Sequence, residues 1–129
     1  CDEYGINPTI VLGMIGAESG YICDIMGDGG NSYGLMQIQK RFFGERMERL
    51  GVTDLLDPYQ NVTVGVDFLA ELIAYYDGNV EMALMAYNAG QGGAYEHWFK
   101  HHIYSNHYSQ KVLANSEKLQ EEAIIEVEG

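Results

Sequence analysis

Only two prolines occur in this chain of 129 residues, and each directly follows a side chain suited to capping a helix: Asn7-Pro8 and Asp57-Pro58. Asn and Asp accept a hydrogen bond from the free N–H groups of a first helical turn. Proline suits the first helical position because its missing N–H would have had no partner there. Each pair therefore predicts a helix start. The first helix runs from Pro8 to about Ser19, where Gly20 stops it. In the second, Val62, Val66, Leu69, Leu72, Ile73 and Tyr76 recur at the three-and-four spacing of a buried stripe, and Gly78 ends it. Asn79 then caps a third, "VEMALMAYNAG", with Val80, Ala83, Leu84 and Tyr87 on one face.

Turn chemistry accounts for much of what lies between. "GYICDIMGDGGNS", residues 20–32, has many glycines and little periodicity, and reads as a loop. "KRFFGERMERL" reads as a helix closed by Gly51, and Gly90, Gly92 and Gly93 as a break. "AYEHWFKHHI" and "SQKVLANSEKLQEEA" read as further helices, and alternation leaves room for one short strand in residues 33–39. The fold class that follows is mainly α with long loops. The length suits one domain with one core.

The formal net charge of -12 repels phosphate backbones, so nucleic acid is not an expected partner. Part of that charge lies in "EKLQEEAIIEVEG", where Glu117, Glu121, Glu122, Glu126 and Glu128 outnumber Lys118. Residues 117–129 accordingly read as a solvated acidic helix end or linker behind a domain of residues 1–116. No apolar run is long enough to span a bilayer, and a monomer is expected because no long exposed heptad is present. The opening "CDEYG" has neither an initiator Met nor a signal segment, as in a mature or excised domain of a larger protein. Cys1 and Cys23 suffice for one bridge in an oxidising compartment, and their spacing leaves bridged and free forms open. His97, His101, His102 and His107 lack companions at ligand spacing, so neither a metal nor another cofactor is expected.

One residue stands out against this background. Glu18 closes the uncharged run "IVLGMIGA", and on a helix it falls in line with Val11, Met14 and Ile15. Partial dehydration and the negative end of the helix dipole both disfavour its ionised form. A carboxyl kept protonated is what a general acid needs when a sugar oxygen must leave. The same residue at a frayed helix end would simply face solvent, and periodicity alone leaves both readings open.

Other motifs bear on the choice. Glu18-Ser19, "YGLMQI" at 33–38, "AYNAG" at 86–90 and Tyr108 follow one another in an order and at separations that resemble the lytic transglycosylases and the related goose-type lysozymes. These enzymes cleave the glycan strands of bacterial peptidoglycan. The resemblance covers about residues 6–113 and implies a lysozyme-like domain with a substrate cleft. By this likeness, Glu18 is the acid that protonates the oxygen between N-acetylmuramic acid and N-acetylglucosamine, and Ser19 helps fix its carboxyl. Ser19, Gln37, Gln39, Tyr87, Asn88 and Tyr108 would bind substrate. Each also has a plain structural role open to it: Gln37 tying down its loop, Tyr87 filling the core, Asn88 ending a helix.

"GDGGNSYGLMQIQKR" looks goose-type, with Asp28 where such lysozymes place a carboxylate that helps position water. Gln39, however, stands where they carry a further aspartate and where transglycosylases often carry methionine. Most glycosidases use two carboxylates, and with Glu18 acting alone the transglycosylase route, ending in a 1,6-anhydromuramyl product, is the expectation. A hydrolytic lysozyme and a non-catalytic wall-binding module are the alternatives. The expected place of action is the cell envelope, the extracellular space or a phage particle.

Overall fold

The computed structural model describes residues 1–128. Among these, six α-helices follow in order: α1 Pro8–Ser19, α2 Gly44–Leu50, α3 Pro58–Tyr75, α4 Val80–Ala89, α5 Gln91–His97 and α6 His107–Glu128. Single 3-10 turns occupy Asp2–Tyr4, Asp28–Gly30, Lys40–Phe42 and Phe99–His101. Two short strands, β1 Met26–Gly27 and β2 Ser32–Tyr33, pair antiparallel, with Met26 opposite Tyr33 and Gly27 opposite Ser32. The chain is mainly helical, as its periodicity predicts.

All three predicted caps are made. The Asn7 side chain accepts from the Thr9 N–H at 3.0 Å, Asp57 from the Gln60 N–H at 3.0 Å and Asn79 from the Met82 N–H at 3.0 Å. At the far end of α3, Gly78 has φ +88°, a left-handed conformation in which a Cβ is strained.

Three details depart from the sequence reading. The strands lie mostly ahead of residues 33–39, inside the glycine-rich segment read as a loop, and Ile38 joins only through a bridge to Tyr33. There the glycines form the hairpin's turn rather than ending all structure. Gly90 alone breaks the chain before α5, because Gly92 and Gly93 fall within its first turn. "KRFFGERMERL" starts as a 3-10 turn and becomes α-helical only at Gly44.

The chain divides into two compact units, Met14–Asp67 on one hand and Cys1–Gly13 with Phe68 onward on the other. In the second, the start of α1 lies against α6. A Cβ on Gly13 would stand 2.7 Å from the Val112 carbonyl oxygen, so only glycine permits this approach. The hydroxyls of Thr9 and Ser116 are 2.7 Å apart, Asn115 donates to the Gly13 carbonyl at 3.2 Å, and Gln120 donates to Thr9 at 3.0 Å. Helix α6 runs unbroken through position 116, and Glu117, Lys118, Gln120, Glu121 and Glu122 are exposed, Gln120 still reaching Thr9 by a hydrogen bond. Glu126 and Glu128 have side chains outside those described. Leu69, Leu72, Ala83, Leu84, Met85, Ala86, Ala94 and Val112 are almost fully buried in this unit.

The core of the unit Met14–Asp67 comprises Met14, Met36, Ile38, Leu55 and Val64. Its α2 is tied to α3 by Arg46 and Arg49, which both donate to the buried carboxylate of Asp67.

Candidate active site

Glu18 lies in the last turn of α1 and is half-buried. The expected stripe beneath it exists: Val11, Met14 and Ile15 are 3%, 0% and 5% exposed, while Leu12 on another face is 42% exposed. Ser19, also buried, donates its hydroxyl hydrogen to the Ile15 carbonyl at 3.0 Å. With that hydrogen committed, only the oxygen lone pairs of Ser19 are available to a neighbour. The helix then ends through two successive left-handed residues, Gly20 at φ +60° and Tyr21 at φ +68°. This reversal lays the Tyr21 ring over Gly16, where a Cβ would come within 2.9 Å of the phenol oxygen.

The hairpin that follows carries Asp28. Asp28, Gly29 and Gly30 are all left-handed, at φ +52°, +67° and +93°, so the backbone folds tightly between the strands. The Asp28 carboxylate accepts the Ser32 hydroxyl at 2.5 Å, and its carbonyl accepts the Asn31 side chain at 3.0 Å. One carboxylate oxygen of the goose-type candidate is therefore engaged within its own turn.

Gln37 follows in a second tight loop, closed by paired hydrogen bonds between Tyr33 and Ile38, both 3.0 Å. Its φ of +50° is uncommon for a residue with a side chain and characteristic of places where the surroundings over-determine the backbone. The Gln37 amide donates to the Gly34 carbonyl at 2.8 Å, and its Oε1 is so close to Gly27 that a Cβ there would stand 2.2 Å away. The hydrogen bonds thus give Gln37 the loop-tying role that its sequence position left open. A longer bond, from the Gln37 amide to the Ile25 carbonyl at 3.4 Å, ties it to the residue just ahead of β1. Gln39 is half-buried and leads into the Lys40–Phe42 turn, whose Phe42 N–H bonds to its carbonyl at 2.9 Å.

Sequence reasoning passed over Asn61, which is fully buried. Its side-chain oxygen accepts the Met36 N–H at 2.8 Å, and its amide donates to the carbonyls of Tyr33 at 2.6 Å and Leu55 at 2.8 Å. The available signal was an amide in line with Gly65 and Leu69 at four-residue spacing, on a helix face otherwise made for burial.

Tyr87, Asn88 and Tyr108 belong to the other unit. Tyr87 is half-buried in α4, its ring tilted by 39° against Phe68 at 5.3 Å between centroids. Asn88 is exposed beside it, one residue before the helix ends. Tyr108 is half-buried at the second position of α6, next to a firmly held helix start. Asn106 accepts the Ser109 N–H at 2.9 Å, Ser109 accepts the Asn106 N–H at 3.0 Å, and the Ser109 hydroxyl reaches Glu81 of α4 at 3.1 Å. This reciprocal cap fixes the register of Tyr108.

Among the described residues, no group of three or more His, Cys, Asp or Glu is arranged to hold a metal ion. Both cysteines are free thiols, Cys23 exposed and Cys1 partly so. No described helix is long and apolar enough to cross a membrane.

A family model described as the transglycosylase SLT domain matches residues 1–108 and so takes in every one of these candidate positions. The chain belongs to this family. As a member of the transglycosylase SLT family, it is 36% identical over 93 residues to a transglycosylase of Enterobacteria phage PRD1, a match covering 71% of this chain and 32% of that protein. Its fold is similar to that of an inactive mutant of the lytic transglycosylase Slt from Pseudomonas aeruginosa, with a TM-score of 0.75, 23% identity and coverage of 92% of this chain and 23% of that one. The likeness bears out the mainly helical, lysozyme-like fold expected from the motifs. This SLT domain spans about a third of the length of the curated relative it matches.

Proposed function

We propose that this domain is a peptidoglycan lytic transglycosylase that cleaves the β-1,4 linkage between N-acetylmuramic acid and N-acetylglucosamine. The observation that carries the reading is the family match over residues 1–108, within which Glu18 is a half-buried carboxyl at the end of a buried apolar stripe.

Glu18 acts first as general acid. Its proton passes to the bridging oxygen as the bond from C1 of the muramic acid breaks, and the substrate's own N-acetyl group supports the positive charge that develops. The resulting carboxylate then takes the proton of the C6 hydroxyl as that oxygen closes on C1. Proton and bond counts balance without water, and the product carries a 1,6-anhydromuramyl end. The scheme calls for no cofactor. Gln37, Gln39, Tyr87, Asn88 and Tyr108 bind the glycan in this reading, and Ser19 supports the end of α1 through its bond to Ile15.

No observation favours the hydrolytic alternative over this one. Asp28, the carboxylate that it would enlist to position water, has an oxygen held by Ser32. A pure binding module would gain nothing from a half-dehydrated acid. Digestion of purified peptidoglycan followed by mass spectrometry tests the proposal: anhydro ends support it, reducing ends indicate hydrolysis, and intact strands indicate binding alone. Action at the cell wall, from a bacterial envelope or a phage particle and within a longer protein, follows from the same reading.

A further inference from the structure

The loop that carries Gln37 does not hold its own shape by backbone pairing alone. Within it the Met36 N–H points inward, and its partner comes from α3: the Asn61 side-chain oxygen, at 2.8 Å. The two hydrogens of the same amide reach the Tyr33 carbonyl at 2.6 Å, on one side of the loop, and the Leu55 carbonyl at 2.8 Å, in the segment leading to α3. Both donors and one acceptor of a 0% exposed side chain are thus used on three backbone groups.

Two glycines make this possible. A Cβ on Gly34 would stand 2.5 Å from the Asn61 amide nitrogen and 2.7 Å from the Leu55 carbonyl oxygen. One on Gly65, a turn along α3, would stand 2.3 Å from the Met36 sulfur. The loop is therefore pressed onto α3 with the Asn61 amide between them, and Gln37 follows directly after the residue so held, in a left-handed conformation at φ +50°.

We propose that Asn61 is a positioning residue for the glycan-binding Gln37, acting through the Met36 N–H and the Tyr33 carbonyl to hold the loop in the one shape that aims the Gln37 side chain. The inference rests on the proposed role of Gln37 in binding substrate. Asn61 itself touches no substrate. Its amide supplies what neither an apolar residue nor a carboxylate can: an acceptor for the loop N–H together with two donors for the carbonyls on either side.

The test compares Asn61→Ala, Gln37→Ala and the double variant in peptidoglycan cleavage, with amide hydrogen exchange of each. Cleavage by Asn61→Ala is expected to fall on the order of 100-fold, the loss that a displacement of about 1 Å at a reactive site can cause. The double variant should fall no further than Gln37→Ala, because Asn61 acts through that side chain. Exchange at Met36 should accelerate while the helices stay protected.

Additive losses in the double variant would overturn the proposal, as would exchange that accelerates throughout the fold, since either means Asn61 supports the domain generally. Wild-type cleavage by Asn61→Ala would also overturn it. Wild-type cleavage by Gln37→Ala is the distinct outcome in which the substrate-binding role of Gln37 fails, and the positioning role falls with it.

Discussion

Gly65 on α3 faces the sulfur of Met36, a side chain with no exposed surface, so closely that a methyl group added to the glycine would lie 2.3 Å from that sulfur and 3.1 Å from the Met36 Cβ. Two effects oppose each other when Gly65→Ala is made. Alanine gains about 1 kcal/mol of helix propensity. Overpacking a dense core costs roughly 1–3 kcal/mol, and the added methyl would crowd the Met36 Cβ as well as the end of its side chain. Net destabilisation is the expected result in urea unfolding, and it should shrink when Met36→Ala is made alongside.

Asp67 is 6% exposed and receives both Arg46 and Arg49. The two arginine side chains differ in exposure, 16% for Arg46 and 58% for Arg49. Removing the shared acid takes a buried charge partner away from both guanidiniums, one of them largely buried, so Asp67→Ala should cost on the order of 3–5 kcal/mol. Arg49→Ala removes a mostly solvated partner and should cost about 1 kcal/mol or less. Chemical denaturation of both variants checks the ratio, and equal losses would contradict this account of the pair.

Burial, and then the neighbouring Tyr75, push the Tyr76 hydroxyl above its ordinary value of 10.0, against a hydrogen bond with Gln91 that lowers it. The unfolded chain thus gives up this proton first. The stabilisation that goes with the neutral phenol is complete below pH 10.0 and is lost as the pH rises towards the folded value. Unfolding free energies measured across the alkaline range should decline more steeply for the wild type than for Tyr76→Phe. Parallel decline would show that this group does not contribute.

The helices were legible because their signals are local. Asn7-Pro8, Asp57-Pro58 and Asn79 each make the cap that their order predicts, and Val66, Leu69 and Leu72 are buried as their spacing requires. The hairpin at Met26–Tyr33 was hidden because its strands are two residues each, too short for alternation to register. Asn61 was hidden for a different reason. A polar residue inside a helix ordinarily means an exposed face, and only the tertiary fold reveals three backbone groups waiting for it. In the site, the half-burial of Glu18 followed from the apolar stripe at Val11, Met14 and Ile15, whereas the Ser19 bond to Ile15 and the left-handed backbone of Gln37 required coordinates.

The acid role of the Glu18 carboxyl is tested most directly by mass spectrometry of glycan fragments from paired digests by the wild type and Glu18→Gln. The exchange keeps size and shape but removes the transferable proton, so the wild type should release 1,6-anhydromuramyl fragments while the variant leaves strands intact and still sediments with them. Loss of cleavage of at least about 100-fold is expected, the low end for a lost general acid. Anhydro fragments released by the variant at the wild-type rate would contradict the account.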